Sequence, residues 1–147
     1  MSGFLLDTNV ISELRKEARC DRAVKAWATA QDQQKVFLST VVIAEIRFGI
    51  AQTTDVTFRS ELDRWLQDKV RPWFSGRVLT VGEDEFLRWR EMLEKGRQAN
   101  YTFGQPDLFL AAQADLHGLT VVTRNVKDFT AVSVPVLNPW EFKVQTN

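Results

Sequence analysis

Short unbroken apolar runs alternate with longer stretches in which apolar positions recur at helical spacing. The runs are "FLL" (4–6), "VFL" (36–38), "RVLTV" (77–81), "LTVVT" (119–123) and "VPVL" (134–137). Continuous rather than alternating apolarity predicts strands covered on both faces. Between them, "TVVIAEIRFGIAQ" (40–52) follows a Ser39-Thr40 cap signal, and "TFRSELDRWLQDKV" (57–70) sets Phe58, Leu62, Trp65 and Leu66 on one stripe. "EDEFLRWREMLEKGRQ" (83–98) carries Phe86, Leu87, Trp89, Arg90 and Leu93 on a mixed surface, and "PDLFLAAQADLHG" (106–118) opens on proline and closes on Gly118. Strands that alternate with helices predict an α/β fold: a parallel β-sheet flanked by α-helices on both faces.

Composition narrows this picture little. The chain has 147 residues and no linker or repeat, so it is expected to form a single domain over 1–147. Its one cysteine, Cys20, suits a reducing compartment. No signal peptide or membrane span is expected, which predicts a cytoplasmic protein with no membrane partner. Nineteen basic residues balance nineteen acidic ones, so a nucleic-acid ligand would have to be met by local clusters of charge.

The acids change the picture more. In open parallel sheets, ligands bind beyond the carboxyl ends of the strands. Asp7 stands at that end of the first strand, where it is either the cap of a helix beginning near Val10 (a role Asn9 would also fill) or one corner of a site. Glu45 lies too deep in its helix to serve the first turn, and its neighbours Val41 and Phe48 are apolar. A helix apolar nearly all round is expected to be buried, and a buried carboxylate needs a metal, a proton or an ion-pair partner such as Arg47 or Arg124. Asp107 opens the helix after Pro106, a good place for any first-turn acid. That helix leads into "LTVVT", followed by "RNVKDF", which puts Asn125 and Asp128 at the same end of the sheet or in a plain turn. Asp7, Glu45, Asp107 and Asp128 therefore converge on one edge, and such hard oxygen donors suit Mg²⁺ or Mn²⁺. No His/Cys set for zinc and no P-loop is present; the lone His117 sits at a helix end, on the far side of the sheet.

Together, "LLDTNVISEL", "LSTVVIAEIRFGI", "PDLFLAAQADLHGLTVVTRNVKDF" and the closing "LNPWEF" resemble the PIN-domain family, within it the VapC and FitB-type toxins of bacterial toxin–antitoxin pairs. The resemblance spans nearly the whole chain in order. It implies a homodimer, Mg²⁺- or Mn²⁺-dependent endoribonuclease activity, and a VapB/FitA-type antitoxin that blocks the site and assembles with the toxin on operator DNA. Matched by motif, the metal acids are Asp7, Glu45 and Asp107. Many members carry an acid directly after the "TR" pair, where this chain has Asn125; the fourth ligand then falls to Asp128 or to the Asn125 amide.

On this reading Asp7 and Asp107 hold a cation that activates water for attack on an RNA phosphodiester, with Glu45 bound directly or through water. Thr8 and Asn9 steady Asp7, Thr123 or Asn125 bonds the scissile phosphate, and Arg124, Lys127, Arg15 and Lys16 contact the RNA backbone. The aromatic residues Phe58, Trp65, Phe86 and Trp89 are candidates for the dimer contact. Two rivals stand beside this reading: a phosphotransfer receiver-like domain, which also gathers acids at strand ends, and a non-catalytic partner that only supports a DNA-binding antitoxin.

Overall fold

The structure, a computed structural model, describes residues 2–100 and 104–144. In chain order its strands and helices are β1 (Phe4–Leu6), α1 (Thr8–Leu14), α2 (Arg22–Ala30), β2 (Val36–Ser39), α3 (Thr40–Gln52), α4 (Val56–Trp65), a π turn (Leu66–Val70), α5 (Arg71–Trp73), β3 (Val78–Leu79), α6 (Glu83–Gln98), α7 (Gln105–His117), β4 (Thr120–Val122), α8 (Val126–Thr130) and β5 (Val136–Leu137). All pairings are parallel, in the order β3-β2-β1-β4-β5. Receiver-type sheets run 2-1-3-4-5 instead. The strand order therefore removes the receiver-like reading.

The central strands are covered on both faces, as their unbroken apolarity predicts. Leu5, Leu6, Leu38, Val121 and Val122 are all buried. Leu5 pairs with Phe37 on one side and Val121 on the other. Phe129 of α8 and Phe74 just after α5 are fully enclosed, and Trp27 of α2 meets Phe4 edge-on at 5.2 Å. Residue 3 favours glycine: a Cβ there would lie 2.6 Å from the Lys35 backbone carbonyl, so a side chain would force the backbone beside β1 to shift. Gly118 ends α7 in the left-handed region, at φ 66°, where a side chain would be strained.

Several elements differ from the expected pattern. Helix α2 escapes the reading made from sequence, although Asp21 caps it and Val24 and Trp27 mark its buried stripe. "RNVKDF" is more than a turn, since α8 forms within it. The helix expected over 57–70 begins at Val56 and runs on through the π turn to Trp73. Pro72 has no N–H to donate and crowds the carbonyl four residues back, and the wider turn just before it absorbs the misfit. Strand β3 is shorter than its apolar run. Arg77, at the start of that run, is buried, with its guanidinium donating to the carbonyls of Gln33 and Val36, each at 2.5 Å, and of Trp73.

Candidate active site

Strand order reverses between β1 and β4, and a crevice at their carboxyl ends follows from that topology. Asp7 directly follows β1 and Thr123 directly follows β4. The Thr123 hydroxyl donates to Asp7 Oδ2 at 2.8 Å. The same oxygen accepts from Asn9 Nδ2 at 3.3 Å, while Oδ1 accepts from the Thr8 N–H at 2.7 Å. Asp7 is 6% exposed.

Asp7 is the N-cap residue of α1, yet its side chain does not make the usual capping bond. A capping carboxylate normally accepts from the second or third N–H of its helix. Asp21 does so, taking the N–H groups of Ala23 and Val24, and Asp55 takes that of Phe58. Asp7 precedes α1 but accepts only from the adjacent Thr8 N–H, and its other oxygen is turned across the sheet to Thr123. Burial pushes the Asp7 carboxyl above its usual range. The Thr123, Thr8 and Asn9 bonds pull the other way, and the charge of Asp128 adds to the rise.

Asp107 lies in the first turn of α7 and is half-buried. Its pKa is pushed up to about 6, first by burial and then by the charges of Asp7 and Asp128, a hydrogen bond with Asp128, and the charge of Glu45. Asp107 thus feels the charges of Asp7, Asp128 and Glu45, which reach it from the end of β1, from α8 and from α3.

Glu45 requires a correction: it is exposed, not buried. Helix α3 buries Val42, Ile43 and Ile46 and turns Ala44, Glu45, Arg47 and Phe48 outward, with Phe48 57% exposed. Among the described residues Glu45 is in no ion pair with Arg47 or Arg124. Asp128 is exposed as well.

The expected RNA-contacting residues separate into two groups. Asn125 and Lys127 have exposed side chains beside Asp128. Arg124, also exposed, donates its N–H to Asn9 Oδ1 at 3.2 Å and lays its guanidinium 4.9 Å from the centre of the Trp140 ring. Arg15 and Lys16 are engaged elsewhere, Arg15 over Phe58 of α4 and Lys16 on Glu13 at 2.9 Å. Thr8 and Asn9 do steady Asp7. Thr123 is not free for a phosphate. Its one hydroxyl proton goes to Asp7, and its oxygen accepts from Asn9 Nδ2 at 3.2 Å and the Asn125 N–H at 3.0 Å. This role was hidden in the sequence, where a threonine ending a strand reads as an ordinary β-former. His117 pairs with Glu85 at 3.2 Å, at the opposite end of α7 from Asp107.

The donor set fits a hard divalent cation: carboxylate oxygens gathered without histidine or cysteine, their like charges already raising Asp107. Among the described residues, no three of these acids form a tight ready-made cage. A cation held here would have to draw these acids closer than they stand.

The PIN domain model matches residues 4–134. The chain is 38% identical to the VapC ribonuclease Y4jK of Sinorhizobium fredii, an alignment covering 94% of this chain and 98% of that protein. It is 34% identical to Toxin FitB of Neisseria gonorrhoeae, over 93% and 98% of the two chains. Among solved structures it is similar to FitAB bound to an IR36 DNA fragment, with a TM-score of 0.86 and 30% identity over 97% of this chain and 99% of the other. The family model and these relatives cover nearly the whole chain, and the chain belongs to the PIN-domain family.

Proposed function

We propose that this protein is the endoribonuclease toxin of a bacterial toxin–antitoxin pair, hydrolysing RNA phosphodiesters with Mg²⁺ or Mn²⁺. The observation that carries the reading is the geometry at the carboxyl ends of β1 and β4, where Asp7 is buried and held by Thr123 and where Asp107 feels the charges of Asp7, Asp128 and Glu45. The family relatives named as ribonuclease and toxin supply the substrate class and the biological role. A non-catalytic partner would have no need to keep four mutually repelling acids beside one another.

Asp7 and Asp107 would hold the ion from the inner side of the crevice, with Glu45 from the outer side and Asp128 as fourth acid. When bound, the cation supplies neutralisation of phosphate oxygens and an acidified water. The chain's own residues do the rest. Thr123, Thr8 and Asn9 lock the Asp7 carboxylate in one orientation. Asn125 and Lys127 present exposed polar and cationic groups to the RNA backbone at the end of β4.

The proposal extends to partners and place. A FitA- or VapB-type antitoxin would cover the site and carry the complex to operator DNA, as the DNA-bound FitAB structure suggests by likeness. A homodimer is favoured by exposed Phe48, Val56, Phe86 and Leu87. Of the four aromatics singled out in the sequence, Trp65 and Trp89 pack against this protein's own core and leave Phe58 and Phe86 at the surface. No helix among the described residues is long and apolar enough to cross a membrane; an RNA substrate is what favours the cytoplasm. The test is cleavage of a single-stranded RNA by purified protein with Mg²⁺ or Mn²⁺. Cleavage abolished by EDTA is expected; cleavage that EDTA does not reduce would contradict the metal.

A further inference from the structure

The closing "NPWEF" lies beyond the strands and acids, yet it folds back toward the site. Asn138 Oδ1 accepts from the Trp140 N–H at 3.0 Å, and Pro139 is buried, which fixes a short 3₁₀ turn over Pro139–Glu141. Trp140 is thereby held half-buried against the core with part of its ring open to solvent. Over that ring lies the guanidinium of Arg124, 4.9 Å from its centre. The Arg124 backbone is fixed as well, since its N–H is bonded to Asn9, which also holds Asp7.

A guanidinium lying on an aromatic ring uses one face for that contact and leaves its edge N–H groups free, the edge that matches phosphate oxygens. Among the described residues Arg124 makes no ion pair. The nearby Glu13 feels its charge but is already satisfied by Lys16 and by the N–H of Asp21. Arg124 thus follows Thr123, the hydrogen-bond partner of Asp7, and its exposed side chain rests on Trp140 with no ion pair among the described residues.

We propose that Trp140 is a positioning residue for RNA: its ring holds the Arg124 guanidinium beside the acidic crevice, where the guanidinium edge grips a backbone phosphate flanking the one that is cut. The inference rests on the ribonuclease reading above. A merely structural Trp140–Arg124 contact would fasten the end of the chain and leave substrate binding alone.

The experiment measures kcat, KM and their salt dependence on a single-stranded RNA for the full chain with Mg²⁺, beside thermal melts. Arg124→Gln should raise KM about tenfold with kcat within about twofold, and reduce the slope of log(kcat/KM) against log[salt] by roughly 0.7, the share of one phosphate contact on a single strand. Trp140→Leu should raise KM several-fold, Trp140→Phe should restore most of it, and Trp140→Leu should add nothing in an Arg124→Gln background. If Trp140→Leu does not fold, the surface variant Arg124→Lys decides. It keeps the charge without the flat face, so it should raise KM about threefold with little change in salt slope. KM and salt slope unchanged in Arg124→Gln, or KM unchanged in Trp140→Leu or in Arg124→Lys, would overturn the inference. A wild-type protein that cuts no RNA overturns the ribonuclease reading and this inference together. A wild type that cuts, with variants of unaltered KM, overturns this inference alone.

Discussion

The Thr123 hydroxyl and Asp7 Oδ2 lie 2.8 Å apart across 116 positions of sequence, joining the carboxyl ends of β4 and β1. That bond is charge-assisted and buried, and bonds of this kind contribute about 1.5–3 kcal/mol. Thr123→Val keeps the shape and removes the donor. It also strips a partner from Asn9 and from the Asn125 N–H. Stability should fall by roughly 1–3 kcal/mol and cleavage by about tenfold or more. Thr123→Ser should recover most of both. Denaturant melts beside a cleavage assay check this; wild-type activity in Thr123→Val would show that Asp7 needs no such support.

The raised pKa of Asp107 predicts a direction for stability against pH. Its value lies above the unfolded one, 3.8 against about 6, so the folded state binds the proton more tightly. Ionisation therefore weakens the fold: this contribution is most favourable below pH 3.8 and is lost as pH rises through about 6. Because Asp107 is half-buried, solvent screening reduces the effect to on the order of 1–2 kcal/mol. Without divalent cations, the stability of wild type relative to Asp107→Asn should fall between pH 4 and pH 7. A flat difference across that range would mean that neither burial nor the neighbouring acids raise the Asp107 carboxyl.

Glu45→Gln separates function from fold unusually well, because Glu45 is exposed and in no ion pair among the described residues. Stability should stay within about 0.5 kcal/mol of wild type, the usual range for a surface change. Cleavage should drop by about tenfold or more, with a higher Mg²⁺ concentration needed for half-maximal rate. Full activity at the wild-type Mg²⁺ requirement would remove Glu45 from the site.

What was legible in the sequence was what repeats or stands out locally. Leu5, Leu38 and Val121 announced a two-sided sheet through unbroken apolarity, and Asp7 and Asp107 stood where a strand ended and a helix began. Glu45 was expected to be buried, and it is exposed. A helix apolar nearly all round is expected to be buried, whereas α3 leaves Phe48 in solvent beside Glu45. Hydrophobicity reports what a helix can bury, not whether a neighbour covers it. The pairing of Thr123 with Asp7, and of Arg124 with Trp140, depends on contacts between distant segments, which local pattern does not encode.

Exposed Phe48, Val56, Phe86 and Leu87 predict self-association, since few soluble monomers leave so many large apolar side chains uncovered. Light scattering at micromolar concentration should return about twice the 16.9 kDa chain mass. A mass of one chain would assign these side chains to another partner.

The central claim is that Asp7 serves a cation and not the start of α1. Asparagine is an adequate helix cap, so a capping Asp7 tolerates Asp7→Asn with little change. If Asp7 belongs to a repelling acid cluster, the substitution relieves burial of a charge and leaves the metal-free fold no weaker. Binding of Mg²⁺ to the native state alone raises the melting temperature, and losing a ligand shrinks that rise. The decisive measurement is RNA cleavage by wild type and Asp7→Asn across a Mg²⁺ titration, with melting temperatures recorded on the same samples. The account predicts a rate at least about 100-fold lower in the variant, a smaller Mg²⁺-induced shift, and an unchanged or higher metal-free melting temperature. An Asp7→Asn protein that cuts RNA at the wild-type rate would contradict it.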